Sequence, residues 1–264
     1  MKKKKIALVL SGGSAYGFAH IGILKILLEN NVLPDIIVGT SMGAIIGGLF
    51  ASGISIDEME NILTNFSRSK IVDISLFTMF KKGLLQGSKV TKILEGLIGD
   101  KNIEDCPIKF ACISSDLRTG EKVVFSNGNM VTAIRSSMSV PGIFSPVELD
   151  GRFLVDGGVA DNLPVDVARD MGADVVIAVD VCSYYRMQNE LKSTIDIVVS
   201  ASNLCVANFV LAQKDKGDVY IKIDQPNVSF DKYTVEDITA SIDNGVKAAQ
   251  SHLEEILSVV KNGL

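Results

Sequence analysis

The sequence of 264 residues contains no tryptophan, two histidines and four cysteines. With imidazole confined to His20 and His252, a metal centre built on histidine is not expected. Cys106, Cys112, Cys182 and Cys205 show no C-x-x-C spacing and have no histidine nearby, which removes the common zinc patterns. In a chain of this size they read as free thiols in a reducing compartment, not as a disulfide framework. Excess positive charge is also missing: the formal net charge is -5 and the pI about 5.2, which argues against a nucleic-acid surface. No run of about 18 uninterrupted apolar residues occurs, so no bilayer span is expected. The lysines at 2 to 5 are read as a solvated flank, with a weak contact to an anionic membrane as their alternative role. The apolar run behind them, Ile6 to Leu10, is shorter than the roughly 7 to 15 residues of an export signal. A cytoplasmic location, with peripheral membrane contact as an option, is the expectation.

What is abundant is apolar and small. Hydrophobic residues make up 47% of the chain, enough for a substantial core, and there are 23 glycines. Ile6 to Leu10 reads as a buried strand, Gly17 to Glu29 as a helix, Asp35 to Val38 as a second strand and Met42 to Ala51 as the helix after it. Two strand-turn-helix units in succession predict a parallel sheet with its turns at the carboxyl ends of the strands, where open α/β sheets place ligands. Ile56 to Gly99 reads as helical, and residues 71 to 87 hold an apolar patch with a basic edge, read as helix packing or as a lid meeting lipid. Two hairpins are predicted, Lys109 to Asp116 with Lys122 to Phe125, and Val147 to Leu149 with Arg152 to Val155 across Asp150-Gly151. Asp174 to Val181 and Val219 to Ile223 read as strands, residues 183 to 215 as a helical excursion and Thr234 to Lys261 as a closing helix. No repeat or linker divides the chain, so one α/β domain over residues 1 to 264 is expected, with a mainly parallel central sheet flanked by helices.

The chemistry is suggested by Gly39-Thr40-Ser41-Met42-Gly43. Glycines on both sides let a strand turn sharply into a helix and leave a serine hydroxyl at the apex, the arrangement of a nucleophile elbow. Helix capping by Ser41 is the plainer alternative, but the strand-turn-helix context on both sides favours the nucleophile. One strand away, Gly12-Gly13-Ser14 forms a second turn at a helix N-terminus, whose backbone N-H groups suit a developing oxyanion. That segment lacks the Lys-Ser/Thr ending of a phosphate loop, and Ser14 breaks the dinucleotide-binding glycine pattern.

A base for Ser41 is harder to find. His252 sits beside Glu254 and Glu255 in the closing helix and reads as a surface residue, and His20 reads as a packing or capping residue. A carboxylate then remains, and its ordinary pKa of about 3.9 makes it a weak base unless burial raises it. Asp116, Asp156 and Asp180 all lie at predicted strand ends; Asp156 stands out for the Gly157-Gly158 turn that follows it, but residue physics leaves the three nearly tied.

Four blocks in order, Leu8 to Leu24, Gly39 to Ala44, Ser136 to Phe144 and Asp156 to Pro164, make the chain resemble the patatin-like phospholipases, in particular their compact bacterial members. The resemblance implies a Ser-Asp dyad with Ser41 as nucleophile and Asp156 as base. It also implies an oxyanion hole from Gly12, Gly13 and Ser14, a fatty-acyl ester as substrate, an acyl-enzyme intermediate, and neither metal nor other cofactor. Gly17, Gly39, Gly43, Gly157 and Gly158 are the glycines of these motifs. The family pattern carries a third glycine and a basic residue where this sequence has Ser14 and Tyr16. The altered turn keeps a second possibility open, a protein that binds acyl groups and has lost efficient turnover.

Overall fold

In the computed structural model, residues 4–68, 87–182, 194–223, 225 and 234–261 are described. The predicted patch at 71 to 87 lies, apart from Gly87, outside them. The chain begins with β1 (Ile6–Leu10), a 3-10 turn over Ser14–Phe18 and helix α1 (Ala19–Glu29). The helix expected from Gly17 thus starts two residues later, because the turn before it is wound more tightly. Strand β2 (Ile36–Thr40) leads directly into α2 (Met42–Ala51), and α3 (Ile56–Arg68) and α4 (Ser88–Ile98) follow.

Strands β3 (Lys109–Asp116) and β4 (Lys122–Phe125) form the first expected hairpin, and α5 (Met130–Ser137) separates them from the second, β5 (Val147–Leu149) with β6 (Arg152–Asp156). Asp150 and Gly151 both have positive φ, 49° and 76°, which is why an Asp-Gly pair closes this two-residue loop. Then come α6 (Val165–Asp170), β7 (Val175–Asp180), α7 (Thr194–Gln213), β8 (Val219–Lys222), α8 (Val235–Ser251) and α9 (Leu253–Lys261). The predicted closing helix is therefore two helices broken at His252.

One sheet of order β5-β6-β3-β2-β1-β7-β8 carries the fold, with β4 paired to β3. The run β3-β2-β1-β7-β8 is parallel, while β4, β5 and β6 join antiparallel. This is the mainly parallel α/β architecture expected from the sequence. All five residues of β1 and of β2 are buried, as strands covered by helices on both faces must be. The larger core, with Leu8, Leu10, Ile37 and Phe110, lies under α1, α2 and α8; the smaller, with Val9, Val38, Leu163 and Val165, lies on the other face. Among the described residues no helix is long and apolar enough to cross a membrane.

Helices α1 and α8 meet backbone to backbone. A Cβ on Gly22 would collide with the carbonyl oxygen of Ile242, and one on Gly245 with that of Ala19. Gly245→Ala gains about 1 kcal/mol of intrinsic helix propensity, but forcing α8 off α1 costs about 1–3 kcal/mol. A net loss of stability is therefore expected, read as a lower urea midpoint with an unchanged m-value.

Candidate active site

Ser41 sits between the last residue of β2 and the first of α2 with φ 54° and ψ −118°, a conformation that non-glycine residues rarely adopt. The crowding around it explains the glycines on either side. A Cβ on Gly43 would run into the carbonyl oxygen of Leu10, and one on Gly39 into that of Gly43. Only bare backbone lets β1, β2 and the first turn of α2 approach so closely. The N-H of Ser41 donates to Ser137 Oγ at 2.9 Å, so α5 fixes the elbow from the side.

Asp156 ends β6, whose antiparallel register places it opposite Ser114 of β3. Its N-H donates to the Ser139 carbonyl at 2.9 Å, and its carbonyl accepts from Ser115 Oγ at 2.9 Å. With the backbone held at both ends, the carboxylate turns toward the elbow. Ser41 Oγ donates to Asp156 Oδ2 at 2.6 Å, and the Gly158 N-H donates to Oδ1 at 2.8 Å. Burial pushes the Asp156 pKa up from 3.8 to about 6, against the two hydrogen bonds, which pull it down.

The other two aspartates of the sequence tie are engaged elsewhere. Asp180 accepts from Tyr220 Oη and Lys222 Nζ on β8, both at 2.8 Å, and from the Cys182 N-H at 3.0 Å. Asp116 accepts from the Arg118 N-H at 3.0 Å and so shapes its own turn. His20 is fully buried with Nε2 2.9 Å from the Ser11 carbonyl oxygen, and burial lowers its pKa to about 4 against the raising effects of that bond and of Asp180. It is a neutral packing group beneath the first turn. His252 caps α8, with Nδ1 2.9 Å from the Ala248 carbonyl oxygen.

The turn after β1 differs in detail from expectation. Ser14 adopts φ 51°, the left-handed region its Cβ disfavours. Gly12 does not offer its N-H freely: it donates to Asn162 Oδ1 at 3.1 Å. The N-H groups of Gly13 and Ser14 meet no acceptor among the described residues. The N-H of Met42, first in α2, precedes any acceptor within its helix. The structure thus brings Ser41, Asp156 and the Gly12 backbone together, and adds Ser115, Ser137, Ser139 and Asn162, which sequence reasoning missed as site residues. Among the described residues no cluster of three or more His, Cys, Asp and Glu side chains could hold a metal.

The raised Asp156 pKa has a sign for stability. The folded state binds the proton more tightly than the unfolded chain, so this group's contribution is most favourable below about pH 4 and is lost as pH rises through about 6. The loss is on the order of 3 kcal/mol for a shift of about two units. Asp156→Asn, which keeps the shape but cannot ionise, is expected to raise the melting temperature at pH 8 and leave it nearly unchanged at pH 4.

Comparison with known proteins identifies the family and the fold. The sequence model described as patatin-like phospholipase matches residues 8–169. Patatin-like phospholipase domain-containing protein 7 of Rattus norvegicus is 38% identical over 183 residues, 67% of this chain and 14% of that protein. An uncharacterized NTE family protein of Mycobacterium tuberculosis is 35% identical over 175 residues, 66% of this chain and 48% of the relative. This chain therefore spans less than half the length of either of these curated relatives. Among solved structures, VipD from Legionella pneumophila shares the fold at a TM-score of 0.54 with 13% identity, over 96% of this chain and 67% of that one. From the match across residues 8–169, which contain both the Ser41 elbow and the Asp156 turn, the chain belongs to the patatin-like phospholipase family.

Proposed function

We propose that this protein is a serine acyl hydrolase that cleaves fatty-acyl esters of lipids through a Ser-Asp dyad. The observation that carries the reading is the 2.6 Å hydrogen bond from Ser41 Oγ to Asp156 Oδ2 at a strained strand-to-helix turn. Family membership supports lipid esters as the substrate class.

In this reading Ser41 Oγ attacks the acyl carbonyl carbon while its proton passes to Asp156. The carbonyl oxygen becomes an oxyanion that accepts from the N-H groups of Gly13 and Ser14, with Met42 adding a third donor from the start of α2. Collapse breaks the ester C-O bond, and the leaving alcohol takes the proton from Asp156. Water then attacks the acyl-enzyme, giving its proton to Asp156, and the second collapse returns that proton to Ser41 Oγ and frees the fatty acid. A carboxylate with a pKa of about 6 is a stronger base than one at 3.8, so burial is what fits Asp156 for its role.

Contact with a lipid surface belongs to the same reading. Ile197, Leu204 and Leu211 repeat at seven-residue spacing on α7 and are 55%, 57% and 49% exposed. The other side of the same helix packs on the catalytic turn: Val206 Cγ2 lies 3.2 Å from where a Gly158 Cβ would stand. A helix that is apolar on its outer face beside the catalytic turn suits a substrate held in an aggregate.

The test is fluorophosphonate labelling with mass spectrometry, alongside hydrolysis of a short soluble ester and a long-chain ester in phosphatidylcholine vesicles. Ser41→Ala is expected to lose the adduct and all turnover. Asp156→Asn is expected to lose about 10²–10⁴-fold in kcat, and wild-type kcat/KM should rise with pH through about 6 as the carboxylate ionises. Leu204→Glu with Leu211→Glu should slow hydrolysis in vesicles and spare the soluble ester. The left-handed Ser14 and the uncharged Tyr16 favour a second reading, an acyl-binding protein without turnover. A folded wild type that binds fatty acid but neither labels nor hydrolyses either ester selects it.

A further inference from the structure

Strand β1 ends its ladders on both sides at Leu10, opposite Gly39 of β2 and Val179 of β7, and the Ser11 N-H adds one more bond to the Val179 carbonyl. Gly12 therefore lies beyond the last paired residue, at the point where the chain enters the turn. Its N-H and C=O are both met by one side chain. Asn162 Oδ1 accepts from the Gly12 N-H at 3.1 Å, and Asn162 Nδ2 lies 3.4 Å from the Gly12 carbonyl oxygen. A single amide spans both polar groups of one residue, as a neighbouring strand would.

We propose that Asn162 is a positioning residue that locks the oxyanion turn in register with the turn carrying Asp156. The proposal rests on the hydrolase reading above. Asn162 is 2% exposed and follows Asp156 by six residues. Its Oδ1 stands 3.0 Å from where a Gly158 Cβ would be, and the Gly158 N-H is the donor to Asp156 Oδ1. The backbone that carries it is anchored in turn: Thr40 Oγ1 donates to the Asp161 carbonyl at 3.1 Å, and Lys122 Nζ holds the Asp161 carboxylate at 2.9 Å. Thr40 immediately precedes the nucleophile. Asn162 thus takes its position from the base's turn and the nucleophile's strand, and passes it to Gly12.

Gly12 is gripped from both sides. A Cβ there would lie 2.6 Å from Asn162 Oδ1 and 3.0 Å from Ser41 Cβ. The Cys182 thiol, 2.7 Å from the Gly12 carbonyl oxygen and 3.5 Å from Asn162 Nδ2, closes the cluster. By occupying the Gly12 N-H, Asn162 leaves Gly13 and Ser14 as the donors of this turn. Without the lock, those two N-H groups have no fixed distance from the carbon that Ser41 attacks.

The experiment measures kcat, KM and inhibition by an acyl trifluoromethyl ketone, which adds Ser41 Oγ to its carbonyl and carries an oxyanion, for wild type, Asn162→Ala and Asn162→Asp. Asn162→Ala is expected to lower kcat and weaken the ketone in parallel by about 100-fold, the scale of a 1 Å misplacement, with KM nearly unchanged. Asn162→Asp keeps the size and the acceptor for Gly12 but loses the donor and sets a negative charge beside the turn, so an equal or larger kcat loss is expected. A third readout needs no variant. In the wild-type ketone adduct, the amide proton resonances of Gly13 and Ser14 should move downfield while that of Gly12 stays in place. Retention of wild-type kcat by either folded variant, a loss confined to KM, or a downfield shift of Gly12 instead of its neighbours overturns the proposal. Failure of the wild type to label at Ser41 removes the hydrolase reading itself, a result separable from normal labelling with unaffected Asn162 variants.

Discussion

Asp156 has been taken out of water and given two donors to its carboxylate oxygens, the Ser41 hydroxyl and the Gly158 N-H. Much of the surrounding structure maintains that balance. Left in solvent, the carboxylate would sit near its ordinary pKa and hold a proton poorly; buried without donors, it would stay neutral. Ser139 and Ser115 hold its backbone, Ser137 holds the N-H of Ser41, and the glycines at 39 and 43 let the elbow come within reach. Each of these groups is small, because the contact is made where two strand ends and a helix converge with no room for side chains.

This design concentrates unfavourable conformations in one place. Ser41 and Ser14 both occupy the left-handed side of the backbone map, and both lie in turns that follow parallel strands. Backbone strain of this kind costs on the order of 1–3 kcal/mol per residue and persists only where the surroundings over-determine it. Fully buried strands β1 and β2, and helices packed on both faces of the sheet, supply that determination.

The sequence disclosed features whose cause is local. The apolar runs of β1, β2 and β7, the Asp-Gly turn between β5 and β6, and the glycines around Ser41 could all be read without knowing their neighbours. Partnerships at long range could not. Asp116, Asp156 and Asp180 look alike as strand ends; the Asp116 carboxylate bonds within its own turn, and what separates the other two is Ser41, 115 residues from Asp156, and Tyr220 with Lys222, 40 and 42 residues from Asp180. Asn162 stands 150 residues from Gly12, so nothing near it in the chain marks its role. The break between α8 and α9 was equally silent, because His252 interrupts the helix with neither glycine nor proline beside it.

The first turn also carries a tie from far along the chain. The Tyr16 carbonyl accepts from Gln225 Nε2 at 2.8 Å, across 209 residues, and from Ser241 Oγ at 3.3 Å, across 225. Closing loops of that length carries a large entropic cost and is slow compared with forming local helices and hairpins. The shape of the turn after β1 therefore depends on segments that are far away in the sequence, as the packing of α1 on α8 does too. Local helices and hairpins alone do not complete this turn: its Tyr16 carbonyl meets these two side-chain donors only when residues 225 and 241 return to it.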